Sequence, residues 1–81
     1  MLRIFADFNN SDQQGRVRLN TVGAREDLDP HRNALKEGMK VILYMPDLEV
    51  TGTLVFDEEI WKGIPDWSTT RHIDHEDRAT E

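Results

Sequence analysis

No cysteine occurs in these 81 residues. The chain therefore has no disulfide to hold it and no thiolate-ligated zinc site, which fits a reducing compartment. Histidine is scarce, at three. A glycine-rich phosphate loop, a nucleophile elbow and a Cys–His pair are all missing, so the usual nucleophilic and phosphoryl-transfer machinery has nothing to be built from. Aromatic residues make up only 7% of the chain; a proline-peptide groove needs several exposed rings side by side, and with Trp61 read as facing inward, Trp67 and Tyr44 alone would make a poor one. No apolar run is long enough to span a membrane, and the opening MLRIFADFNN turns polar too soon for a signal peptide. A soluble, cytoplasmic protein without membrane contact is expected.

Basic charge is also in short supply. The net charge is -6 and the isoelectric point near 4.9, which argues against general binding to nucleic acid or an anionic surface. The distribution is uneven: the first 25 residues hold Arg3, Arg16, Arg18 and Arg25 against Asp7 and Asp12, a net of +2, so the other 56 carry -8. The sequence DHEDRATE at 74–81 has no apolar periodicity and is expected to be a disordered acidic tail on a single domain spanning 1–73.

What is present is concentrated in residues 38–67, which hold most of the large apolar side chains in alternating order. Residues 40–45 and 49–57 alternate with the period of half-buried strands, and Pro46-Asp47 separates them as a turn. With those two residues as the loop, Met45 faces Leu48, Leu43 faces Val50 and Val41 faces Gly52 on the inner side. Tyr44 with Glu49, Ile42 with Thr51 and Lys40 with Thr53 then make the outer side. Proline cannot take the positive φ that two-residue hairpins favour, so a longer type I loop, with the register shifted by one, is the alternative. Gly52 is read as the place where the strand bends to close a barrel. Phe56 opposite Trp61, across the turn Asp57-Glu58-Glu59, puts two rings toward the core. Ile64-Pro65 is expected to end that strand. Asp66 and Ser68 then open a tight turn carrying Trp67, and residues 70–73 form a short closing strand.

Upstream, residues 2–8 and 15–20 also alternate and are expected to pair as an antiparallel hairpin around the polar loop 9–14. Ala6 with Val17 and Ile4 with Leu19 would face inward. Asp7 with Arg16, Phe5 with Arg18 and Arg3 with Asn20 would face outward, giving one ion pair and a cation–π contact. Between the two hairpins, Asp29-Pro30 as a helix start and Gly38 as a stop allow a short helix over 30–37, with an irregular path as the alternative. Leu28 and Leu35 would cover an open end of the barrel.

Two hairpins, a proline followed by a one-turn helix and a short last strand resemble an SH3-like barrel. Ala6-Asp7-Phe8 is similar to the first-strand signature of SH3 domains, Leu35-Lys36-Glu37-Gly38 to their lead into the second strand, and Gly63-Ile64-Pro65-Asp66-Trp67 to their final element. The resemblance implies a mainly β fold: a small SH3-like five-stranded barrel with one short helix or helical turn in the 21–38 connection. The paired tryptophans that begin the third strand of SH3 domains are absent, since Val50-Thr51 stands there. The start Phe5-Ala6-Asp7-Phe8-Asn9-Asn10 is also similar to that of small bacterial proteins of unknown function, which implies a fold and no activity.

Candidate chemistry is thin. His72, Asp74, His75 and Glu76 lack the spacing and the second cluster of a tetrahedral metal site, so no metal or other cofactor is expected. The carboxylates of Asp57, Glu58 and Glu59 sit in a turn, hydrated and unsuited to acid–base work. No enzyme is expected. The chain reads as a small non-catalytic protein-interaction module. Its candidate binding residues are Arg3, Phe5, Arg16 and Arg18, with Tyr44 and Trp67 as further aromatics. The partner would be another protein or a second copy, and the alternative is a nucleic-acid contact through the Arg3/Phe5/Arg16/Arg18 face, with arginines on phosphates and the ring on a base.

Overall fold

The computed structural model describes residues 1–73; the expected acidic tail at 74–81 lies outside the described residues. Its strands are β1 (Arg3–Phe5), β2 (Val17–Arg18), β3 (Lys40–Met45), β4 (Leu48–Asp57) and β5 (Ile60–His72). They form one five-stranded sheet in the order β1-β3-β4-β5-β2, curled into a half-barrel. A helix, α1 (Val22–Leu28), runs directly into a 3₁₀ segment, Asp29–Ala34. No helix among the described residues is long and apolar enough to cross a membrane.

The β3–β4–β5 meander follows from alternation. Lys40↔Thr53, Val41↔Gly52, Ile42↔Thr51, Leu43↔Val50, Tyr44↔Glu49 and Met45↔Leu48 pair as the two-residue loop requires. Pro46 does not shift that register. Positive φ angles among non-glycine described residues occur only at Glu58 and Glu59, so the Pro46-Asp47 turn keeps negative φ, which proline accepts. The Glu58-Glu59 turn is instead left-handed at both positions, the geometry that matches strand twist. It sets Phe56 opposite Trp61, whose rings meet edge to face at 5.1 Å. Trp61 packs on the core, but Phe56 is exposed, because the inner face runs out at the hairpin's end.

Ile4, Ala6, Val17, Leu19, Ala24, Leu28, Val41, Leu43, Val50 and Leu54 form the core, with Leu35 packed against it from the connection. Leu43 lies flat over two glycines. A Cβ on Gly52 would stand 2.5 Å from its Cδ1, and one on Gly63 would stand 2.8 Å from it. Close approach of a neighbouring side chain is thus a constraint on Gly52 that the sequence did not reveal.

The N-terminal pairing is corrected. β1 and β2 do not pair with each other: β1 runs parallel to β3 (Arg3↔Ile42, Ile4↔Leu43, Phe5↔Tyr44), and β2 is antiparallel to β5 (Val17↔Gly63, Arg18↔Lys62). A single bridge, Ser11↔Val17, is what remains of the expected hairpin among the described residues. Each strand still buries the expected side chains, because the inward set depends on alternation and not on which neighbour is chosen. The helix also lies earlier than 30–37. Thr21 caps it, its hydroxyl accepting from Ala24 N at 3.1 Å, and Ala24 and Leu28 four residues apart bury one face. Asp29-Pro30 does open a helical segment, with proline at its start, but a 3₁₀ one that ends at Ala34 and follows directly on α1.

Ile64-Pro65 does not end β5, which continues to His72. The ladder jumps from Thr51↔Asp66 to Glu49↔Arg71, so residues 67–70 bulge out. Asp66 builds that bulge, its carboxylate accepting from Ser68 N and Oγ and its carbonyl from Thr69 Oγ1. Both sheet edges are dressed. Phe5 N, on the open side of β1, donates to Asp27 Oδ2 at 2.8 Å. On β5, Leu19 N donates to Trp61 O and Val17 faces Gly63. By alternation Pro65 comes next on that edge, where its missing N–H leaves no ladder bond unmade.

Candidate functional site

The six residues read from sequence do not gather on one face. Arg3, Phe5 and Tyr44 come together on the outer side of β1 and β3, whereas Arg16 and Arg18 stand at β2, the other end of the strand order. Trp67 is exposed in the β5 bulge with its ring on Phe8, centroids 5.1 Å apart. Phe5 is not a free exposed ring. It packs edge-on against Tyr44 at 6.0 Å and under α1, where a Cβ on Gly23 would come within 3.1 Å of it. The expected outward pairs are replaced accordingly. Arg16 binds Asp12 and Asp57 rather than Asp7, and Arg18 donates to Ser11 O at 3.0 Å rather than stacking on Phe5.

Around Arg3 and Tyr44 the sheet brings in residues that sequence reading left out. Phe5, Tyr44, Glu49 and Arg71 lie in one cross-strand row, with Arg3, Ile42, Thr51 and Asp66 in the row beside it. Arg3 crosses the Tyr44 ring, its guanidinium carbon 4.5 Å from the centroid, and reaches Glu49 Oε2. Arg71 Nη2 donates to the other oxygen of Glu49. The Glu49 side chain is 9% exposed while those of Arg3 and Arg71 are 48% and 70% exposed, so one sheltered carboxylate is held by two guanidiniums that keep most of their donors in water. Hydrogen bonds from Arg3 and then Arg71 hold the Glu49 carboxyl below its ordinary range despite burial. Tyr44 is turned the other way. Its hydroxyl donates to Asp27 Oδ2 at 2.8 Å, and that bond, with burial, pushes its pKa up and keeps it neutral. Beside this row a cleft of about 300 Å³ runs over Ile42, Thr51 and Thr69 to Arg71.

The second cluster, near the Glu58-Glu59 turn, was not foreseen. Alternation directs Lys62 outward, yet it is fully buried, because the loop ahead of β2 folds over it. Its ammonium donates to Glu58 Oε1 at 2.7 Å and to Asp12 Oδ2 and Asp57 Oδ2 at 3.1 Å each. These use all its protons. Arg16 braces the same carboxylates, with Nε donating to Asp12 at 2.7 Å and Nη2 to Asp57 at 3.0 Å. Burial opposes the charged form of Asp12. Hydrogen bonds from the Arg16 backbone and guanidinium, from Lys62 and from Gln14 N outweigh it and hold the carboxyl far below the usual range. Lys62 is shifted upward, first by Glu58, against the effect of burial. Two of the turn carboxylates, Asp57 and Glu58, are therefore not merely hydrated charges as expected from sequence, although both remain partly exposed. A signal was available in the spacing, since Asp57, Glu58 and Lys62 fall within six residues on either side of one turn.

Among the described residues no group of three or more His, Cys, Asp and Glu could hold a metal ion, and no buried side-chain nitrogen or oxygen lacks a partner. His72 ends β5, while His75 and Glu76 lie outside the described residues. No protein-family model, curated protein or solved structure matches the chain.

Proposed function

We propose that this chain is a small non-catalytic interaction module that docks an acidic protein segment on the face formed by Arg3, Tyr44, Glu49 and Arg71. The observation that carries this reading is the charge ratio there: one sheltered carboxylate between two more exposed guanidiniums. Glu49 holds both arginines in place and leaves each with donors for a further carboxylate, which the planar guanidinium receives well. Ile42, Thr51 and Thr69 line the adjoining cleft beside these arginines. The non-catalytic reading draws on the second cluster, where the protons of the one buried ammonium are all taken by carboxylates. The SH3-like reading is supported by the β3–β4–β5 meander, while the parallel β1–β3 pair stands apart from a two-hairpin plan. A cytoplasmic setting suits a chain without cysteine.

The nucleic-acid alternative draws on four residues that the fold separates, two of them at each end of the strand order. Amide shift mapping tests the choice. A capped peptide of alternating aspartate and leucine should shift Glu49, Thr51, Thr69 and Arg71, and its asparagine counterpart should not. Labelled RNA and DNA at two salt concentrations form the other arm, since phosphate contacts weaken steeply with salt. Equal response to both peptides, or shifts confined to Arg16 and Arg18 with RNA, would remove the reading.

A further inference from the structure

A third surface is left open between α1 and the tip of the β4–β5 hairpin. There Leu19, Phe56 and Trp61 floor a cleft of about 220 Å³ walled by Arg25 and Arg32 on one side and Glu59 on the other. Phe56 is 47% exposed, and Val22, 67% exposed, lines a neighbouring cleft with Arg25, Glu26, Asp29 and Arg32. The two clefts share Arg25 and Arg32, so a large exposed apolar side chain stands on either side of that pair of arginines.

Two of the three charges of this patch are unspent. Among the described residues the side chains of Arg25 and Glu59 make no ion pair or side-chain hydrogen bond, although they line the same cleft. Arg32, by contrast, is paired with Asp29 at 2.9 Å. A cation and an anion stand across an aromatic floor without meeting. A two-fold related copy would bring Arg25 of each molecule toward Glu59 of the other and set the Phe56 rings against each other at the axis. That is the condition for an isologous interface: a patch complementary to itself, with residue i meeting j and j meeting i. A uniformly acidic or basic partner would satisfy one wall and be repelled by the other.

We infer that this chain forms a two-fold symmetric dimer through the Arg25–Phe56–Trp61–Glu59 patch. The area between one helix and one hairpin tip is small, so the dimer is a reversible one. It is distinct from the Arg3–Arg71 face and leaves that face open in both copies.

Sedimentation equilibrium of the full chain tests it, over protein concentrations from ~10 µM to ~1 mM at roughly 0.15 M salt. The wild type should pass from monomer to dimer across this range. Arg25→Glu and Glu59→Arg each place like charges across the axis and should weaken association at least ~10-fold. Mixed in equal amounts, the two variants should associate again, because the heterodimer restores both opposite-charge contacts. Both positions lie outside the core, and thermal melting checks that each variant is folded; Phe56→Ser is the uncharged variant for the same loss. A wild type that stays monomeric throughout, variants that associate as well as the wild type, or a mixture that stays monomeric would each overturn the proposal.

Discussion

The two charge clusters on the outer side of the sheet are made of the same kinds of side chain in opposite proportion. At Glu49 one carboxylate serves two guanidiniums, and at Lys62 three carboxylates serve one ammonium, with Arg16 bracing two of them. In both the lone charge is the sheltered one, and the difference lies in what the groups around it have left: at Glu49 two exposed guanidiniums keep unused N–H donors facing water. Burying an ammonium whose protons are all taken, as at Lys62, leaves a brace that breaks if a partner is removed. The number of ion pairs therefore says little about function. The exposure of the unspent donors says more.

The largest effect should come from removing the platform both clusters stand on. Gly52→Val drives a branched side chain into Leu43, and urea denaturation should show a loss of ~2 to 3 kcal/mol or more. Stability near wild type would mean that Leu43 does not lie over the glycine. Next is Asp12→Ala, which deletes the acceptor shared by Lys62, Arg16 and the loop amides. The melting temperature should fall clearly while binding of the aspartate–leucine peptide is unchanged, and a fall in both would erase the distinction between the clusters.

Acid should sharpen the comparison further. Asp12, Asp57 and Glu49 have carboxyls held below their ordinary range in the fold. As pH drops below ~4 the unfolded chain takes up protons first, so stability present at neutral pH declines from there downward. Asp12→Asn should flatten this decline, as followed by melts at successive pH values. An unchanged acid profile in that variant would place the acid-sensitive group elsewhere. The smallest effect on the fold should be that of Arg71→Gln. The group is exposed and its ion pair is screened, so the melting temperature should stay within ~2 °C. Peptide binding should nonetheless be lost, and retention of binding would refute the docking face.

The sequence was most legible where alternation and a turn act together. The β3–β4 pairs fall as the Pro46-Asp47 turn dictates, and Phe56 meets Trp61 across the next turn. It was least legible where a strand must choose a partner. Residues 2–8 and 15–20 alternate just as well, but alternation fixes only which face a residue takes. β1 found β3, and β2 found β5. The candidate site shared that fate. Arg3 and Tyr44 are adjacent because of the parallel pair, and Arg71 reaches Glu49 only because β5 resumes its ladder after a four-residue bulge. The burial of Lys62 depends on Asp12, fifty residues away, which no local pattern reports.

The dressed edges of the sheet decide how this protein can be recognised at all. With the outward N–H of Phe5 given to Asp27, and Pro65 and a bulge on the free side of β5, neither border among the described residues offers the unbroken row of backbone groups onto which another chain could add itself as a strand. Partners must read side chains. The same edges that limit recognition also deny copies of this chain the strand-to-strand pairing by which sheets grow into fibres.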